Sequence, residues 1–192
     1  MRTPVAFVDA NVLFSKTLRV WLFMLRAHTN GGLFVLHSTD DVFTAGRLTG
    51  PVQDRIRAAL DDVVDVYPEA PDLLGAGEHT QRIHAAALAS NAVYVITDDN
   101  IYDNVDTDTL PYEVHTPDSF LMLVAANAAE AVDAVIDTHL GRAEGSKKPH
   151  LALEDAGCTE FATCVLKHMQ STFAGRSTHG IADELLLDAV TP

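Results

Sequence analysis

Two stretches of the chain bring carboxylates to the ends of apolar runs. Val5 to Val8 stops at Asp9, with Asn11 two residues on, and Val93 to Thr97 stops at Asp98 and Asp99. Read as parallel strands, both runs place their acids at carboxyl ends, and open α/β sheets do their chemistry in the crevice outside those ends. Several carboxylates at one rim repel each other unless a cation neutralises them. Oxygen ligands of this kind suit Mg²⁺ or Mn²⁺, held by a few carboxylates with water completing the shell. Such a metal activates a water and stabilises charge on a phosphate under attack. Each acid could equally cap a helix or a turn, and spacing alone leaves ligand and cap both open.

Other chemistry finds less support. No glycine-rich phosphate loop follows the first strand, and no serine sits in a Gly-x-Ser-x-Gly elbow. His79 and His84 are five apart, which misaligns them on a helix, and His84 reads as a partly buried helix residue. Cys158 and Cys164 make no disulfide framework. Cys164 and His168 would share a helix face with His150 and Cys158 upstream, but a finger spacing is lacking, so buried thiols are preferred to zinc.

The elements that must position these acids alternate. Ser15 or Thr17 caps a helix over Leu18 to His28, closed by Asn30-Gly31-Gly32. Leu33 to Leu36 suits a second strand, and Thr39 an N-cap with Asp40 and Asp41 in a first turn broken at Gly46. A helix over 52–62, a strand over 63–67 and a Pro/Gly-rich loop over 68–77 follow. Glu78 to Ser90 has a strong helical composition, and an acidic loop from Asp103 to Asp108 leads to a last short strand near Tyr112 to His115. Thr116-Pro117-Asp118 opens a helix with proline at its first position. Strands alternating with helices predict a three-layer α/β/α domain with a mainly parallel sheet over residues 1–140. After a linker at Gly145 to Pro149, residues 141–192 form a helical C-terminal extension, with helices expected over 150–156, 159–173 and 181–190.

The chain has 192 residues, 47% hydrophobic and 21% charged, which is the composition of an ordinary globular protein with a full core. Apolar runs are too short to span a bilayer and no signal-peptide pattern opens the chain, so no membrane association and a cytoplasmic location are expected. The net charge of −14 argues against a large basic nucleic-acid surface. It leaves room for an enzyme that draws phosphates in through bound divalent cations, or for a basic protein partner.

Three segments in this order, VAFVDANVL from Val5, IHAAALA from Ile83 and VYVITDDNIYD from Val93, resemble the PIN-domain family. The resemblance is closest to bacterial PIN proteins that include VapC-type toxins of toxin–antitoxin pairs. YEVHTPDSFLML from Tyr112 matches how such domains close, and 148–166 is similar to the helical tail of one PIN subgroup. The resemblance implies a Mg²⁺- or Mn²⁺-dependent endoribonuclease acting on RNA, with an antitoxin or another protein as partner, and often a homodimer. On that basis Asp9 and Asp99 are the core metal ligands, with Asp98, Asp103 and Glu78 as candidates to complete the shell. Asn11 matches the polar residue that accompanies the first acid; Thr97 by its type could orient a metal-bound water, although an ordinary strand threonine is the preferred reading.

Two of the family's acidic positions lack a carboxylate here. The second falls near Ala45, with Asp40 and Asp41 about a turn earlier; the third falls at Thr80, with His79 adjacent and Glu78 two residues away. These departures set a catalytically degenerate PIN-like protein with a binding or regulatory role beside the nuclease. A haloacid-dehalogenase-type phosphatase also begins from an Asp after the first strand. That class resembles Asp-x-Asp, where this chain has Asn11, and uses a lysine between motifs, where this chain has none from Lys16 to Lys147.

Overall fold

The computed structural model describes residues 2–65, 70–98, 100–141 and 147–171. Its centre is a sheet of five parallel strands: β1 (Val5–Val8), β2 (Val35–Thr39), β3 (Asp62–Val64), β4 (Ala92–Ile96) and β5 (Glu113–His115). Their order across the sheet is β3-β2-β1-β4-β5, with β1 between β2 and β4. The direction of winding reverses at β1, so the crevice outside the carboxyl ends of β1 and β4 is the topological switch point, where open α/β sheets bind ligands.

Helices cover both faces, giving three layers, and the alternation of β1 sorts them. Ala6 and Val8 face a core shared with α1 (Ala10–Phe14), α2 (Lys16–His28), α4 (Gly50–Ala59), α6 (Pro117–Asn127) and α7 (Ala129–Gly141). Phe7 faces the opposite way, onto Ile83, Ala86 and Ala87 of α5 (Glu78–Ala89) and onto Tyr102 and Tyr112. The alanine run of α5 lets that helix lie close against the sheet. A short α3 (Asp41–Thr44) completes the α/β part.

The local signals place the ends of these elements. Ser15, not Thr17, caps α2, accepting from the Leu18 N–H at 3.4 Å. Thr116 accepts from the Ser119 N–H at 3.1 Å, with Pro117 at the first turn of α6. Several expectations shift: the helix expected over 52–62 runs from Gly50 to Ala59, because Asp62 already starts β3, which pairs with β2. The second strand lies later than Leu33 to Leu36, because its ladder with β1 pairs Val5 with Val35 and Phe7 with His37. Thr39 is therefore the last residue of β2, and Asp40 takes the N-cap place of α3, without a side-chain cap bond.

The described part of the C-terminal extension is α8 (Pro149–Asp155) and α9 (159–171). Leu153, Cys158, Phe161, Val165 and Met169 join the same core as α2, α6 and α7, and Phe161 meets Trp21 edge to face at 5.0 Å. Asp118 of α6 accepts the N–H groups of Glu160 and Phe161 at 3.0 and 2.9 Å, so one helix caps the start of another. Gly145 and Ser146 of the linker and the helix expected over 181–190 lie outside the described residues, and Pro149 already belongs to α8. No single helix among the described residues is long and apolar enough to cross a membrane. The apolar pair α6 and α7 bends by 112° between its halves and gives Phe120, Leu121, Val135 and Ile136 to the core.

Candidate functional site

Asp9 follows β1 and precedes α1, and its own N–H reaches across to the Ile96 carbonyl of β4 at 2.9 Å. That bond ties the two strand ends together and brings Thr97 beside Asp9. The Thr97 hydroxyl donates to Asp9 Oδ2 at 3.0 Å, and His79 Nε2 lies 3.4 Å from the same oxygen. Asp9 is only 1% exposed. Burial raises its pKa above the ordinary carboxylate range, against the opposing pull of the His79 imidazole and the Thr97 hydrogen bond.

Asp9 forms one wall of a pocket of about 410 Å³ that Asn11, Phe14, Asp41, Arg47, His79 and Arg82 also line. Asp41 is held by both its oxygens: Arg82 donates to each at 2.8 Å, and the Thr39 hydroxyl reaches Oδ2 at 3.4 Å. Arg47 places its guanidinium 5.0 Å from the centre of the Phe14 ring. Asn11 accepts the Val12 N–H at 2.7 Å, while its amide nitrogen is buried without a partner. An unsatisfied buried donor costs free energy, and such groups concentrate where ligands or water complete a site.

Of the sequence candidates, Asp9, Asn11 and Thr97 come together. Asp99 lies outside the described residues. Asp98 is exposed and is not among the pocket-lining residues; its charge is felt at Cys158, whose thiol is pushed up to about 12 by burial first and then by Asp118 and Asp98. Asp103 and Glu78 are exposed and also lie outside the lining. Of the two stand-ins for the second acid, Asp41 lines the pocket, whereas Asp40 faces Arg57 of α4 at 3.6 Å. Cys158 is buried and Cys164 half-buried, and His168 pairs with Asp133 at 2.8 Å rather than with a cysteine.

No carboxylate stands at Thr80, where the PIN resemblance would put a third acid. Thr80 is buried and donates to the Ile101 carbonyl at 2.9 Å, fastening the loop after β4. Its neighbour His79 turns to Asp9 instead, and Arg82, three residues further along α5, turns to Asp41. Arg82 and Arg47 escaped the sequence reading, yet the spacing of His79 and Arg82 on one helix face was the available signal. Behind them, His84 Nδ1 meets the Tyr112 hydroxyl at 2.8 Å, and Tyr112 meets Tyr102 at 3.3 Å. Burial lowers the His84 pKa and raises those of both tyrosines.

A single Mg²⁺ takes one or two protein carboxylates, with water and substrate phosphates completing its shell. Asp9 meets that need, although no group of three or more His, Cys, Asp or Glu side chains among the described residues is placed to hold a metal. No protein-family model, curated protein or solved structure matches the chain.

Proposed function

We propose that the chain is a PIN-like, divalent-metal-dependent ribonuclease with its centre at Asp9. The observation that carries this reading is a wholly buried carboxylate at the carboxyl end of β1, bonded by Thr97 from the end of β4, at the switch point of the sheet. Asp9 would hold Mg²⁺ or Mn²⁺, with Asp99 as its expected companion and Asp98, Asp103 and Glu78 as further candidates. Bound there, the metal supplies an activated water and a counter-charge for the phosphate. Thr97 fixes one Asp9 oxygen, the low-dielectric surroundings would strengthen its attraction for a bound cation, and Arg47 lines the same pocket for a phosphate's negative oxygens.

The test is cleavage of RNA with Mn²⁺ or Mg²⁺, with and without chelator, by wild type and Asp9→Asn. Loss of the ligand is expected to lower the rate by about a hundredfold or more. Activity that persists in the variant, or in chelator, overturns the mechanism.

A second reading has its own observation. The bidentate Arg82–Asp41 pair neutralises the carboxylate that could replace the second acid, and Thr80 stands where a third is expected, with its neighbour His79 turned to Asp9. That arrangement favours a degenerate site that binds without cutting. RNA binding with no cleavage in any metal would decide for it.

A further inference from the structure

In a chain carrying a net charge of −14, three arginines gather at one end of the five-residue helix α1. Arg47 lies over Phe14, and both side chains line the pocket beside Asp9. The preceding residue, Leu13, gives its carbonyl to Arg19 Nη1 at 2.6 Å. Arg55 of α4 is close enough to Arg19 that its positive charge, after burial, helps lower the Arg19 pKa. Arg55 is exposed, its Nε hydrogen-bonded only as far as the Pro51 carbonyl one turn back.

These arginines differ from their neighbours. Arg26, Arg57 and Arg82 each face a carboxylate, on Asp61, Asp40 and Asp41. Among the described residues, Arg19, Arg47 and Arg55 form no such pair. Like charges brought together without a counter-ion repel, and the arrangement is relieved by an anion with several charges in a row. Beside them the half-buried Phe14 ring and the Arg47 guanidinium form a stacking surface at the pocket wall, of the kind on which unpaired bases lie.

We propose that Arg47, Arg19 and Arg55 form a track for the phosphates of single-stranded RNA, leading past Phe14 into the pocket at Asp9. This rests on the RNA-directed reading of the site and adds where the strand runs. A free phosphate would need only the pocket; arginines extending beyond it call for a polymer. The track supplies locally the positive charge that the molecule lacks as a whole.

The experiment is binding of a fluorescent oligouridylate in chelator, followed by anisotropy from about 20 to about 200 mM salt, a range over which counter-ion release is steep. With three phosphate contacts the wild type is expected to show a log–log slope of about −2. Arg47→Gln and Arg55→Gln each lower its magnitude by about 0.7 and weaken binding at low salt about tenfold. Arg19→Lys keeps the charge, so the slope holds while affinity falls. Lys167→Gln, the same charge change on α9, leaves both unchanged. Unchanged slopes in the Arg47 and Arg55 variants, an equal effect at Lys167, no binding by wild type, or tighter binding of the matching oligothymidylate each overturn the track. Absence of cleavage with these slopes intact overturns the nuclease and leaves the track standing.

Discussion

The burial of Asp9 comes at the expense of stability, a cost that the proposed role as a metal ligand would explain. Its raised pKa means that the folded state holds the proton longer than the unfolded chain, so stability falls as pH rises from about 4 through the folded value. Asp9→Asn removes that penalty. In chelator at neutral pH the variant should melt higher, by on the order of a few degrees, and with Mn²⁺ or Mg²⁺ added it should lose cleavage. Asp61 works the other way. Burial would raise its carboxyl, but the Arg26 hydrogen bond, the Leu36 N–H at 2.9 Å and the attraction of Arg26 and His37 hold it below the usual range. Its stabilisation is therefore present above about pH 4 and is lost as pH falls through the folded value. Asp61→Ala should cost about 1–3 kcal/mol at pH 7 by stranding the buried Leu36 N–H. For Asp61→Asn, urea midpoints should converge on wild type near pH 3.

Among the elements, the junction of α6 and α9 is the most exposed to a single change. Asp118→Ala leaves two N–H groups at the start of α9 without their acceptor and should cost about 1–2 kcal/mol. Thr116→Ala removes one cap bond and should cost about 1 kcal/mol. Trp21, the sole tryptophan, touches Phe161 and reports the difference by fluorescence in a denaturant titration. The same elements mark what a sequence reading could reach. β1, β4, α5 and the Thr116-Pro117 start are legible because apolar runs and caps are local. β2 was displaced because its polar residues are buried by distant partners: Ser38 donates to the Val8 carbonyl at 2.6 Å across 30 residues of chain. At the site, Asp9 and Thr97 were legible as strand ends. Thr80 could not be separated from His79 without knowing that Ile101 would claim its hydroxyl.

For the whole molecule, the described helices of the extension share one core with the sheet's own helices rather than standing apart. A chain cut after residue 141 should therefore expose Trp21 and Val165's partners, with red-shifted emission and a broad, weakly cooperative melt. The order of the strands sets a further rule, this one about time. Asp9 and Thr97 are 88 residues apart in the chain, and β1 must wait for β4 to be made before its second edge is filled. Contacts of such long span are slow to close, because loop entropy is spent before they form. During synthesis the first part of the chain can pair β1 with β2, but Asp9 lacks the hydroxyl that holds its Oδ2 until residue 97 is out. Asp9 is thus made 88 residues before the threonine that holds it, and a nascent chain stalled short of β4 carries Asp9 without that partner.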